Sequence, residues 1–236
     1  MSESALFLGG TKGLGLELAR LAIGEGISAT IAGRTAADCS LVRERKAKGV
    51  SIDLGSSDPS SLSIAYGAYD LLVWTAGVHA QGSFISSLPQ TDFWRVCRTH
   101  LEGPIDVLTR IFSANCLQKR PCHLVVVGST SSYRTRDDEA LYGALKAAKA
   151  HLARNLGREL PREIPGSKVL LANPGGMATP FWEGREEKAV GFMDPAVVAR
   201  VLWAEVRRQE SSFLEIQILR QPDRSPKVEY GPRMPE

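Results

Sequence analysis

Seven short apolar runs, each followed by a stretch whose apolar residues recur at helical spacing, limit this chain to a small set of folds. The runs occupy residues 5–8, 27–32, 50–54, 70–75, 123–127, 168–172 and 213–219. Residues 123–127, His-Leu-Val-Val-Val, are apolar almost throughout, as a strand covered on both faces requires. Leu14, Leu18, Leu21 and Ala22 form one helical stripe that stops at Gly24-Glu25-Gly26. Leu141, Leu145, Ala148, Leu152 and Leu156 form a longer one over 140–160. Further helices are predicted over 36–48, from Asp58-Pro59, over 91–100 and 105–117, and after Asp194-Pro195. Strands that alternate with helices pair in parallel through right-handed crossovers. The expectation is therefore an α/β, Rossmann-type doubly wound sheet of about seven parallel strands flanked by helices on both faces. It fills residues 1–220 as a single domain. Residues 221–236 carry four prolines and few apolar side chains, and are expected to drape over the surface as a tail or to lack order.

Charge and cysteine usage exclude several classes of function. Formal net charge is +3, and the densest basic stretch, Arg43 to Lys48, is interrupted by Glu44 and reads as a solvated helix face. Neither nucleic acid nor a membrane is an expected partner. No apolar run approaches the ~20 residues needed to span a bilayer, and the N-terminus lacks the pattern of a secretory leader. Cys39, Cys97, Cys116 and Cys122 lie far apart with no ligand spacing, so no metal site is expected and a cytoplasmic location follows.

The turn after the first strand, Gly9-Gly10-Thr11-Lys12-Gly13-Leu14-Gly15, carries the first chemical signal. Glycines at a strand-to-helix turn let the backbone approach a pyrophosphate, and the helix N-terminus presents free N–H groups to it. The second strand ends Gly33-Arg34, where a site for NAD would carry an acid for the ribose hydroxyl. Lys12 and Arg34, with no carboxylate, suit the 2′-phosphate of NADP(H) instead.

Tyr142 and Lys146 stand one helical turn apart on a shared face, and Ser129 precedes Tyr142 by 13 residues, just past the fifth strand. Carbonyl reduction needs this set. Hydride arriving at carbon leaves charge on oxygen, which a phenol can protonate. A neighbouring ammonium should bring that phenol from ~10 toward working pH, and a hydroxyl can hold the oxygen.

In these motifs the chain resembles the short-chain dehydrogenase/reductase family over about residues 4–220, in its NADP-preferring form. The resemblance implies Ser129, Tyr142 and Lys146 as catalytic residues. It implies cofactor contacts from Gly9, Thr11, Lys12, Gly13, Leu14, Gly15, Arg34, Asp53 and Leu54, with Asp53 toward the adenine. Ala76 and Gly77 of Thr75-Ala76-Gly77, Tyr142, Lys146, Pro174, Gly175 and Thr179 complete the cofactor set, Thr179 toward the nicotinamide carboxamide. A homodimer or homotetramer built on the helices over 105–117 and 140–160 is implied as well.

Three positions depart from the family pattern. Leu8 replaces a threonine at the head of the glycine motif. Trp74-Thr75 replaces paired asparagines, so the loop after the fourth strand must be braced differently. His100-Leu101-Glu102-Gly103 stands where Asn-Leu-x-Gly is usual. His100 either occupies the asparagine's place in a proton relay, its imidazole (ordinarily ~6.5) passing or gating protons, or is a structural histidine.

Substrate contacts are expected from the loops over 78–83, 131–137 and 178–192. Phe181 and Trp182 either close an apolar wall or pack on the sheet edge; Arg134 and Arg136 either meet an anion or are solvated. The expected activity is hydride transfer between NADP(H) and a small-molecule ketone, aldehyde or secondary alcohol. A non-catalytic NADP(H) sensor or regulatory scaffold is the alternative. An epimerase or dehydratase would need a substrate domain for which 236 residues leave no room.

Overall fold

The computed structural model describes residues 3–58, 67–78, 82–86, 93–184 and 186–232. One sheet runs through them in the order β3-β2-β1-β4-β5-β6-β7-β8. Its strands are β1 (Ser4–Leu8), β2 (Ser28–Gly33), β3 (Lys48–Ser51), β4 (Leu71–Trp74), β5 (His123–Val127), β6 (Lys168–Pro174), β7 (Phe213–Arg220) and β8 (Pro226–Tyr230). The first seven pair in parallel and β8 returns antiparallel to β7.

Alternation along β1 shows how the sheet is covered. Ala5 and Phe7 enter a core packed against helices α1 (Gly13–Gly24) and α6 (Pro195–Arg208). Leu6 and Leu8 enter the opposite core, under α4 (Gly103–Leu117) and α5 (Ala140–Glu163). A strand with apolar side chains on both faces can only be a central strand of such a doubly covered sheet. Asp194 caps α6, its carboxylate accepting from the Ala196 N–H at 2.8 Å, and Pro195 fills the first position.

Three expectations are corrected. The charged helix over 36–48 is only a turn at Ala36–Asp38 and one helical turn, α2 (Ser40–Arg43). Extended Cys39 separates the two, and Arg45 at φ +57° closes the second. Leu41 is the one side chain that α2 buries, too little to hold three turns of charged residues against the sheet. As a result β3 begins at Lys48 and stops at Ser51, before the expected end at Leu54. In the tail, residues 226–230 are not a surface drape but the eighth strand, with Val228 packed on the core through its pairing with Ile218. The two helices over 91–100 and 105–117 are continuous: α3 (Phe93–Cys97) passes through a π turn at Arg98–Glu102 into α4. Thr91, the helix expected from Asp58-Pro59, and residues 79–81 of the first candidate substrate loop lie outside the described residues.

Because β1 and β4 are neighbours while their crossovers run to opposite faces, the loops at their carboxyl ends part between them. Open α/β sheets bind ligands at that switch point.

Candidate active site

A cleft of about 1230 Å³ opens at the switch point, and the expected cofactor residues, from Gly9 to Thr179, all line it together with Ser129, Tyr142 and Lys146. His100 does not line it. The glycine turn fits a pyrophosphate on steric grounds. Gly9 adopts φ +91°, and a Cβ there would lie 2.6 Å from Ala76 N. A Cβ on Gly15 would lie 2.5 Å from Gly9 O and from Thr75 Oγ1. Nothing larger than hydrogen fits at either place, so bare backbone faces the cleft. Helix α1 begins there with no side chain capping its N-terminus, leaving N–H groups for an anion. Arg34 pairs with no carboxylate among the described residues. Lys12 leans toward Glu183 at 4.0 Å, both side chains being well exposed, a contact worth little in water. Asp53 holds Gly55 N through Oδ1 (3.0 Å) and pairs with Arg95 through Oδ2 (3.2 Å), which fixes the carboxylate at the cleft edge.

Helix α5 carries Tyr142 and Lys146, the expected acid–base pair. Tyr142 and Lys146 share a face as the spacing predicts, with the Lys146 ammonium 5.4 Å from the centre of the phenol ring. The Ser129 hydroxyl lies beside the phenol and favours its ionised form. Ser129 Oγ accepts from Ser131 N (3.1 Å), and the Ser129 N–H donates to Asn173 Oδ1 at 3.3 Å. Asn173 Nδ2 in turn donates to Glu215 (3.1 Å), whose carboxylate is gripped by both sides of the Arg154 guanidinium at 2.8 Å. The serine therefore rests on a chain of buried polar groups that reaches β7. Gly128 is part of it, since a Cβ there would lie 2.2 Å from Asn173 Oδ1.

The electrostatics depart from the expected lowering of the phenol. Burial raises the Tyr142 pKa above its ordinary 10, with the Ser129 hydroxyl opposing it. Burial brings Lys146 itself down to about 8. In the cleft of the protein alone, desolvation outweighs the ammonium–phenol attraction, and the phenol keeps its proton at neutral pH.

His100 is fully buried on the π turn. Its Nε2 lies 2.8 Å from Val78 O and 3.2 Å from Val78 N, and the shorter contact makes Nε2 a donor to the carbonyl. Nδ1 then carries a bare lone pair, buried and unpartnered. The ring stands edge-on to Tyr142 at 5.8 Å. Burial, with repulsion from Lys146 and Lys149, lowers the His100 pKa to about 3. Of the two readings open for His100, these contacts favour a ring that holds the loop at Val78.

One member of this group escaped the sequence reading. Lys149 is fully buried, with Nζ 4.0 Å over the Trp74 ring, and it donates to Trp74 O (3.3 Å) and Ala76 O (3.5 Å). Here is the different brace for the loop that lost its paired asparagines. The signal was present: 142, 146 and 149 stand at i, i+4 and i+7, so a third polar residue shares the face of Tyr142 and Lys146. Burial lowers the Lys149 pKa well below its ordinary value, and the Lys146 charge lowers it further.

With this geometry described, comparison with known proteins is informative. Residues 3–189 match the family model for short chain dehydrogenase. The chain belongs to the short-chain dehydrogenase family. Among its relatives is the 3-oxoacyl-[acyl-carrier-protein] reductase MabA of Mycobacterium tuberculosis, 25% identical over 193 residues that cover 80% of this chain and 74% of that one. The 3-hydroxyacyl-CoA dehydrogenase type-2 of Bos taurus is 25% identical over 92% of both chains. An actinorhodin polyketide ketoreductase crystallised with NADPH superposes with a TM-score of 0.75 at 24% identity, covering 92% of this chain and 96% of that one. Members of the family are oxidoreductases that use NAD(P)(H), and the doubly wound fold is the one this sheet order builds. No described helix is long and apolar enough to cross a membrane.

Two outcomes follow from the buried bases. His100→Asn and the parent should share one pH–rate profile between pH 5 and 8; a step near 6.5 in the parent that vanishes in the variant would show a titrating imidazole. For Lys149 the folded pKa lies below the unfolded ~10.4, so the fold is penalised at neutral pH and recovers as pH rises toward that value. Relative to Lys149→Met, the parent should gain stability between pH 7 and 10, as read from urea melts. A pH-independent difference would mean that the amine is not desolvated.

Proposed function

We propose that the protein is an NADP(H)-dependent carbonyl reductase, acting on a ketone or aldehyde with Tyr142 as the proton donor. The observation that carries this reading is the phenol of Tyr142, set beside Ser129 with the Lys146 ammonium 5.4 Å from its ring in the cleft that the glycine turn opens. A sensor would not need a proton donor assembled in this way.

When bound, the dinucleotide supplies the hydride. Backbone at Gly9, Gly13 and Gly15, with the α1 N-terminus, would hold its pyrophosphate; Lys12 and Arg34 would take the 2′-phosphate; Asp53 and Leu54 would flank the adenine. Ala76, Gly77, Pro174, Gly175 and Thr179 would wall the nicotinamide end. Ser129 donates to the substrate oxygen and sets its distance from Tyr142. As the carbonyl carbon accepts hydride, the Tyr142 O–H bond breaks and the proton completes the alcohol. Lys146 then stabilises the phenolate and supports its reprotonation. Exposed Ile105 and Leu117 on α4 support association of like chains through that helix.

Tyr142→Phe should lower kcat/KM for NADPH-dependent ketone reduction by ~10²- to 10⁴-fold while leaving NADPH affinity nearly intact; full activity in that variant would remove the assigned donor. Replacing Lys12 and Arg34 together by Ala should reduce the preference for NADPH over NADH about a hundredfold, at ~1.4 kcal/mol per lost ionic contact. An unaltered ratio in steady-state kinetics with both dinucleotides would assign the 2′-phosphate elsewhere.

A further inference from the structure

We infer that the end of β8 works for the site from the far edge of the sheet: Gly231 and Gln217 hold the Glu215 carboxylate where Asn173 needs it to orient Ser129. The inference rests on the reductase reading, which gives Ser129 the substrate oxygen, and deepens it by naming residues that position that serine.

Alternation along β7 places two polar side chains where a core would be expected. Ile216 and Ile218 enter the core beneath α1 and α6. Glu215 and Gln217 take the opposite face, in register with Leu171 and Asn173 of β6. They are 3% and 0% exposed. Polar groups buried this far are costly unless their hydrogen bonds are made. Glu215 is the junction that makes them. Arg154 reaches its carboxylate from α5, Asn173 from β6, and Gln217 Nε2 from its own strand at 3.5 Å.

The end of β8 closes this cluster from outside. Gly231 follows the strand and is held at both of its backbone groups. Its N–H donates to Glu215 O at 2.9 Å, and its carbonyl accepts from Gln217 Nε2 at 3.2 Å. Gly231 adopts φ +94°, a conformation open to glycine at little cost. Tyr230 fixes the strand end from the other face, its hydroxyl donating to the Glu205 carboxylate of α6 at 3.1 Å. Both groups that meet the Gln217 amide are acceptors, so it must present nitrogen to them. Its Oε1 has no partner among the described residues. Gln217 is therefore held through its donor hydrogens alone. A line of polar contacts thus runs from Gly231 through Gln217, Glu215 and Asn173 to the Ser129 N–H. Without the end of β8, water would compete for the carboxylate on which Asn173 depends.

The test uses the full chain with Gln217→Met, which keeps the length of the side chain and removes the donor. Gly231→Pro makes the break from the other strand, should Gln217→Met fail to fold: it lacks the N–H and cannot adopt φ +94°. Lys227→Gln, an exposed change on β8 outside the polar line, is the control. Hydrogen–deuterium exchange over residues 127–133, read by mass spectrometry, follows the Ser129 and Ser131 amides without any need for activity. Exchange there should be faster in Gln217→Met and Gly231→Pro than in the parent, and parental in the control. In NADPH-dependent ketone reduction Gln217→Met should lose about tenfold in kcat, the scale of one net hydrogen bond, with the KM for NADPH unchanged. In a Ser129→Ala background the same substitution should cost nothing further, because its effect acts through the serine. Parental exchange over 127–133 in the folded variants overturns the inference, as does a tenfold loss that persists without the Ser129 hydroxyl. Faster exchange together with a parent that turns over no ketone supports the link from β8 to Ser129 and overturns the reductase.

Discussion

An amine buried on the edge of a hydrophobic sheet without a counter-ion must be met by dipoles and polarisable surface, and the carboxyl end of β4 supplies both. Lys149 sits on the face of Trp74 and draws in the carbonyls of Trp74 and Ala76. Desolvation of a lone ammonium costs several kcal/mol, and a ring face with two carbonyl dipoles offsets only part of it. What is gained is a rigid loop. Thr75 and Ala76 are both tied to Leu8 O, Gly77 lies against the His100 ring, and Val78 O holds His100 Nε2. The floor between the glycine turn and α5 is therefore set by contacts to Leu8, His100 and Lys149 together. Burial and the Lys146 charge, with a smaller part from Lys149, oppose protonation of His100, and the Lys146 charge opposes that of Lys149.

The serine side is built on the opposite principle. There the charges are paired, with Arg154 and Glu215 forming a two-pronged contact whose remaining acceptor capacity is taken by Asn173. Glu215 is buried while Arg154 is 35% exposed, so removing the arginine would leave a buried carboxylate short of partners. Ser129 is thus anchored to β7 through a stiff and expensive network, whereas Tyr142 and Lys146 answer to a cluster whose charge state can change.

Much of this was legible before any coordinates, and the failures have local causes. The β5 bounds were readable because a strand buried on both faces has no polar residue to blur its ends. The pairing of Tyr142 with Lys146 and the cleft residues from Gly9 to Thr179 followed from spacing and family pattern. The region over 36–48 misled because charged residues satisfy a helical period without supplying a face to bury. β8 was hidden by its prolines, since Pro226 is tolerated at the first position of an edge strand and gives no hint of pairing. Lys149 was read past because lysine at a buried helix position contradicts the usual pattern, and only tertiary contact reveals what compensates it. Tyr142 was expected to be more acidic because sequence lists neighbours and not their solvation.

The π turn at Arg98–Glu102 has a consequence for how such a site can be altered. A π turn holds one more residue than regular α winding requires, and it places His100 at its centre. Excising a single residue from that stretch would restore the ordinary pitch and turn everything preceding it by roughly 100°, the angular step of one residue in a 3.6-fold helix. His100 could not keep both its seat beneath Gly77 and its place ahead of α4. The register of one helix, more than the identity of one side chain, therefore decides which group stands behind the phenol, and length variation at this spot is a route by which relatives of the same architecture can exchange it.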